Sequence, residues 1–295
     1  MRWRCFRVTY ELRSPLHIGY HKIGNVQRTR CYIPARTIWG AVTARLVRSG
    51  FSTPNTPEGD YRKIGDLLKS SCAFSYFFLY EDDTLLYPRY GEKGLYYGGF
   101  TQYELERRYL DAHVTTALDA ATGSAETGSL HEVEYIAAHH QQENKNQGVR
   151  TLVRGWVFLN EEAMSYLGPG KWEEWLGELQ VGGERRYGFG RLVLAEGMKE
   201  SSDGWPSGYE FQLEGERPRF VIAPGAALLA HTLARGVKAK GAIEPLVGRE
   251  TTDDGFGRNL RPVGICWVPG SVLDEKAVLS IDPEGYWKKD EDERL

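Results

Sequence analysis

The sequence predicts an α+β protein, and three observations carry that prediction. Strand-like and helix-like segments follow in the order strand, helix, several strands, strand, helix, strand, rather than as strict β-α pairs. The strand-like segments are rich in aromatic and β-branched residues, as in "WRCFRVTYEL" and "VRTLVRGWVFL". Charged residues at 26% and apolar residues at 41% are typical of a globular chain with a core. This order holds the elements of a ferredoxin-like βαββαβ unit with β-hairpins inserted in its middle.

"WRCFRVTYEL" alternates as a strand, with Trp3, Cys5 and Arg7 on one face and Phe6, Val8 and Tyr10 on the other. A loop follows, "RSPLHIGYHKIGN". "CYIPARTIWGAVTARLVRSG" then reads as a short strand, a proline turn and a helix on which Ile38, Val42 and Leu46 share a face. Thr37 is placed to cap this helix and Gly50 to end it. "DYRKIGDLLKSS" is a second, shorter helix. The aromatic segments "AFSYFFLY", "TLLYPRY" and "GLYYGGFTQYEL" suit a system of hairpins. After the small-residue loop "DAATGSAETGS" come a strand, "SLHEVEYI", a polar loop, "QQENKNQG", and the strong strand "VRTLVRGWVFL". "NEEAMSYLGPGKWEEWLGEL" supplies helical turns and an amphipathic helix that packs Trp172 and Trp175. The loop "VGGERRYGFG" opens the strand "RLVLAEG". Beyond Ser201 the pattern loosens, with "RFVIAPGAALLAHTL" and "GICWVPGSVL" as apolar segments. The chain is therefore divided into a core, residues 1–199, and a C-terminal extension, residues 200–295, that could form a second, reduced ferredoxin-like half.

A net charge of −3 gives no global sign of nucleic-acid binding. The distribution is uneven. Arg2, Arg4, Arg7, Arg13, Lys22, Arg28, Arg30, Arg36, Arg45 and Arg48 lie before residue 50, and Glu11 is the only acid there. Such a segment suggests a local anion-binding face, against the alternative that arginines on alternate strand positions simply face water. Cys5, Cys31, Cys72 and Cys266 lack CxxC spacing, which argues against zinc, and no other metal or cofactor is expected. With no signal peptide they read as reduced thiols of a cytoplasmic protein, and no apolar run suits a membrane span.

The loop within "VGGERRYGFGRLVL" admits four chemistries. A Walker loop needs a lysine that is absent. A dinucleotide fingerprint follows a strand and opens a helix, whereas Gly188 and Gly190 follow a helix and open a strand. A plain hairpin turn needs only Gly182 and Gly183. An RNA clamp would use Gly182, Gly183, Gly188 and Gly190 for close backbone approach to phosphate, and Arg185, Arg186 and Arg191 for charge. Tyr187 and Phe189, on one side by alternation, would be stacking faces or core anchors.

Two separated motifs carry a family resemblance. "SPLHIGYHKIGNVQRTRCYIPARTIWGAV" resembles the first motif of the RAMP superfamily of CRISPR-associated proteins, through Ser14 to Gly19, then Tyr32, Ile33, Pro34, Ile38 and Gly40. It departs at Ala35 and Arg36, where the family usually has Gly and Ser. "GGERRYGFGRLVL" is similar to the superfamily's glycine-rich loop, and the resemblance spans Arg2 to Glu196. It implies an RRM-like, ferredoxin-like core that binds CRISPR RNA within a multisubunit type III effector complex. The loop in which related backbone subunits carry a cleaving aspartate is here "GYHKIGNVQRTRCYIP", without Asp or Glu. The length after the glycine-rich loop, with "WVPGSVL", resembles the Cas-five-like subunit, of a type III-D form. The resemblance thus implies a non-catalytic subunit that holds the guide's five-prime handle. Its partners would be the large polymerase-like subunit, backbone RAMP subunits and, indirectly, target RNA.

Each residue singled out has a plainer alternative. His17 could contact RNA or act as a general base, or could order its loop by bonding to backbone. Lys22, Arg28 and Arg30 are expected on the guide-facing loop. Arg36, a cation at a helix N-terminus, makes sense beside a bound phosphate. His139 and His140 point to opposite faces and are expected in solvent rather than on a metal. Asp119, Glu126, Glu132 and Glu134 are expected to be solvated. The rival functions are a metal-independent endoribonuclease using His17 or His21, and a backbone-type subunit that lacks the aspartate.

Overall fold

The computed structural model describes residues 1–141, 148–201, 203–252 and 255–290, with backbone alone for 250–252 and 255–258. Most of the polar loop "QQENKNQG" lies outside the described residues. The main sheet runs in the order Glu178–Gln180, Arg191–Glu200, Trp3–Leu12, Leu152–Asn160, Phe77–Glu81, Tyr32–Ile33, each neighbour antiparallel. The first strand is central and buried on both faces, so Cys5 and Phe6 are both in the core. Its two faces divide as the alternation predicts. Tyr10 packs toward the helices, its hydroxyl donating to the Leu176 carbonyl. Trp3 faces the extension, with its indole N–H directed to the Gly215 carbonyl.

Helices Ala35–Arg48, Tyr61–Ser71, Glu161–Leu167 and Lys171–Leu176 form a contiguous layer on the main sheet. Ile38, Val42 and Leu46 are its buried stripe on the first helix, and Trp172 is fully buried. Thr37 does not cap. The helix begins after Pro34, whose ring fixes φ at −62°, and the Thr37 N–H donates to the Pro34 carbonyl. Gly50 takes the left-handed turn (φ +73°) that ends the helix.

The expected hairpin system forms, but "TQYELERRY" is a helix, Gln102–Tyr109. Thr101 and Glu104 build a reciprocal capping box at its start, which outweighs the aromatic strand character before it. A four-stranded arm joins Leu110–Thr115, His131–Ile136, Val26–Thr29 and Gly19–Ile23.

The extension contributes a seven-stranded sheet from Tyr209–Gln212 to the hairpin of Ile243–Thr252 and Gly255–Trp267. Among its described residues it forms strands and no helix. Its aromatics close on the main sheet. Trp205 lies against Trp156 at 4.7 Å, and Phe220 lies 5.9 Å from Phe158. One continuous apolar cluster therefore runs from Trp3 to Trp287. The four cysteines are buried free thiols.

A candidate RNA-binding loop and the polar network beside it

The two motifs that lie far apart in sequence pack directly on each other. The Gly183 N–H donates to the His17 carbonyl at 2.8 Å, and the Gly190 N–H donates to the Pro15 carbonyl at 2.7 Å. Ser14 Oγ accepts from the Arg191 N–H at 2.9 Å. Gly182 (φ +79°) and Gly190 (φ +80°) take left-handed backbone where side chains would also collide. A Cβ would lie 2.3 Å from the His17 carbonyl oxygen at Gly182, and 1.8 Å from the Val181 oxygen at Gly190.

His17 is buried, at 4% exposure, beneath this junction. Its Nδ1–H donates to the Glu134 carbonyl at 2.6 Å. Its ring fills the space against Gly19 and Gly183 that a Cβ at either would need. His17 is therefore placed to order the loop from within, the plainer of the two roles its motif offers.

Between its pinned ends the loop makes a 3-10 turn, Arg185–Tyr187, flanked by left-handed Glu184 and Gly188. The Gln180 side-chain amide braces it, donating to the Arg185 and Phe189 carbonyls at 3.1 and 3.2 Å. Arg185 and Arg186 are exposed, and Tyr187 is 79% exposed. Phe189 packs edge-on against Tyr135 at 5.4 Å. The two aromatics do not share a side, because the turn breaks strand alternation. Arg191 is also exposed, and pairs across the strand with Glu178 at 2.6 Å.

The other predicted cations fare unequally. Lys22 is exposed on the Gly19–Ile23 strand. Arg28 is held by Glu134 at 3.0 Å and faces Glu106 at 3.5 Å. Arg30 bonds Glu244 at 2.5 Å and lies over Tyr20. Arg36 pairs with Glu284 and donates to the Arg249 carbonyl at 3.0 Å. A protein carboxylate thus meets the guanidinium at the first helix's start. The basic opening segment is not a free cationic face, since acids from distant parts of the chain meet much of it.

A cavity of about 490 Å³ adjoins the motif junction, lined in part by Gly19, Tyr20, Arg30 and Arg36. Its wall holds a network that local sequence reading missed. His231 accepts or donates between the Tyr76 hydroxyl at 2.7 Å and Glu244 at 2.5 Å. Burial pushes the His231 imidazole down, against the pull of Glu244. The neutral ring then fits both partners, with Nε2–H donating to the carboxylate and Nδ1 accepting from Tyr76.

His140 also departs from expectation. It is buried, at 3.0 Å from Glu81, while His139 is exposed. Burial opposes ionisation of Glu81, but hydrogen bonds from Tyr109, Arg108 and His140 hold it below the usual carboxylate range. Glu134 is not simply solvated, because it receives Arg28 and the Thr29 N–H. Among the described residues no group of three or more His, Cys, Asp or Glu side chains could hold a metal ion. Among them, no helix is long and apolar enough to cross a membrane.

Residues 9–193 match the family model described as RAMPs, the RAMP superfamily. No curated protein sequence matches the chain. Two solved structures share its fold over most of its length. A chain from the cryo-EM structure of the Type III-B Cmr-beta bound to cognate target RNA and AMPPnP is 13% identical, with a TM-score of 0.54. The match covers 92% of this chain and 86% of that one. A chain from Type III-B Cmr-beta bound to cognate target RNA is 14% identical with a TM-score of 0.52, at the same coverage.

Proposed function

The chain belongs to the RAMP superfamily, and from that premise we propose that it is a non-catalytic, CRISPR RNA-binding subunit of a type III effector complex. The observation that carries this reading is the junction of the two motifs. It presents a braced loop with Arg185 and Arg186 exposed and unburdened by an ion pair among the described residues. Cationic planar donors on a rigid glycine backbone suit a sugar-phosphate chain. The fold likeness to chains of Cmr-beta assemblies supports the same placement.

The main sheet supports a ferredoxin-like core. Counting its chief strands along the chain, their spatial order is fourth, first, third, second, and helices follow the first and third. On this reading residues 1–199 are the RNA-binding core and 200–295 buttress it. A non-catalytic role is supported by the burial of His17 and by the absence of any carboxylate within the Gly19–Thr29 hairpin.

Assembly with other subunits, the large polymerase-like one among them, is supported by the extension's long hairpin. Ile243, Val247, Leu260 and Ile265 are each about half exposed or more. The register sets Pro245 opposite Ile265, Val247 opposite Pro262 and Arg249 opposite Leu260, so they line one face. An apolar ribbon of that extent suits a protein contact.

Guide retention by an Arg185→Ala, Arg186→Ala double variant within the assembled complex tests the reading. Loss of guide is expected. Full retention with normal assembly overturns it.

A further inference from the structure

We infer that Tyr187 is a stacking platform for an unpaired nucleobase, so that the glycine-rich loop takes single-stranded rather than duplex RNA. This deepens the RNA-binding reading and rests on it.

Single exposed aromatics are common on protein surfaces and by themselves say little. Tyr187 differs in how it is held. The loop is fixed at both ends, by Gly183 on His17 and by Gly190 on Pro15. The Gln180 amide ties the turn's carbonyls together from beneath, and Phe189 anchors the following position on Tyr135. The Tyr187 N–H closes the turn on the Glu184 carbonyl at 2.9 Å. The bracing holds the turn yet leaves the ring itself mostly uncovered, at 79% exposure. Nothing lies within 4 Å of where a Cβ at neighbouring Gly188 would stand, so the space beside the ring is open.

The immediate neighbours choose the ligand. Arg185 and Arg186 stand on the same 3-10 turn, both exposed. A flat apolar face next to two guanidinium groups matches a nucleotide, which offers a base to the ring and phosphates to the arginines. A protein contact would more naturally continue the ring into an apolar patch, and the flanking residues Arg186 and Gly188 supply none. Stacking needs a base face not already covered by a neighbour, which the interior of a duplex does not offer. It is also tolerant of base identity, since every base has a π-face.

The experiment uses the full chain and a labelled single-stranded RNA, alongside the same RNA annealed to its complement. Tyr187→Ala should weaken single-strand binding by about ten-fold. Tyr187→Phe, which keeps the face and loses the hydroxyl, should stay within about two-fold. Duplex binding should be the same in all three proteins. Circular dichroism should be unchanged, because the side chain is 79% exposed. If the wild type binds no RNA, the functional reading fails and takes this inference with it. If single-strand binding is lost in the Arg185→Ala, Arg186→Ala variant but untouched in Tyr187→Ala, the stacking alone is overturned. A Tyr187→Phe loss as large as that of Tyr187→Ala would assign the effect to the hydroxyl and also overturn it. So would a Tyr187→Ala protein that keeps its RNA affinity but fails to co-purify with partner subunits, which would make the ring a protein contact.

Discussion

The backbone N–H of Gly183 donates to the carbonyl oxygen of His17 at 2.8 Å, joining the two motifs that lie farthest apart in the core. Glycine at the adjacent position is enforced twice, by a φ of +79° and by the 2.3 Å that would separate a Cβ at Gly182 from that same oxygen. Gly190 is constrained in the same way by Val181, whereas Gly188 has a positive φ but open space. Alanine should therefore destabilise in a set order. Gly182→Ala and Gly190→Ala should each cost about 3 kcal/mol or more, and Gly188→Ala about 1–2 kcal/mol, the backbone cost alone. Chemical denaturation of the three variants checks the order. Equal losses would mean that φ rather than close approach selects these glycines.

The buried ring of His17 leads to a second expectation. His17→Ala removes a hydrogen bond to Glu134 and leaves a void against Gly19 and Gly183. A loss of about 2–4 kcal/mol should follow. RNA affinity should fall with the fold, but its dependence on salt should not change, because the His17 ring is buried beneath the loop. A urea titration and a binding series over salt concentration separate the two effects.

Local chemistry was legible and long-range pairing was not. The stripe Ile38, Val42, Leu46 and the two faces of Trp3 to Tyr10 are periodicities within a few residues, and both stand in the structure. The box at Thr101 and Glu104 was equally local and was masked by the aromatic run before it. By contrast, the charge excess before residue 50 reads as a free face only while its partners are unseen. Glu134, Glu244 and Glu284 reach Arg28, Arg30 and Arg36 through the fold. The candidate site divides the same way. Glycine and arginine content pointed to the loop, but the outward turn of Tyr187 and the inward turn of Phe189 depend on a left-handed Glu184 that no spacing announces.

Arginines already engaged and arginines left exposed should behave differently. Arg185→Ala with Arg186→Ala should lower the slope of log affinity against log salt by about 1.4, if each meets one phosphate of a single strand. Arg30→Ala should leave that slope unchanged and lower stability, because its guanidinium serves Glu244 and Tyr32 inside the fold. Fluorescence binding curves at several salt concentrations, with melting curves of the same proteins, distinguish the two classes. A slope change in Arg30→Ala would place that side chain on RNA.

The network joining the core to the extension predicts how stability responds to acid. His231 is 2.5 Å from Glu244, a distance at which a charged ion pair would raise the imidazole's affinity for protons. Burial works the other way and prevails, with Arg30 adding to it, so the folded value lies below the ordinary 6.5. Glu244 is also held below the ordinary carboxylate value. Burial opposes that, and the hydrogen bond from His231 and the charge of Arg30 outweigh it. Below about pH 6.5 the unfolded chain therefore binds a proton at His231 more readily than the folded one does, and stability should fall as the pH drops from there. The carboxylate adds a second loss as the pH passes below 4.5, its ordinary value, toward its lower folded one. Urea midpoints measured from pH 8 to pH 4 should be flat above 6.5 and decline below it. His231→Gln, which keeps a neutral donor near Glu244, should remove the first decline and leave the second. Stability that rises between pH 7 and pH 5.5 would instead show His231 charged in the fold, and would overturn the neutral ring assigned to the Tyr76–His231–Glu244 chain.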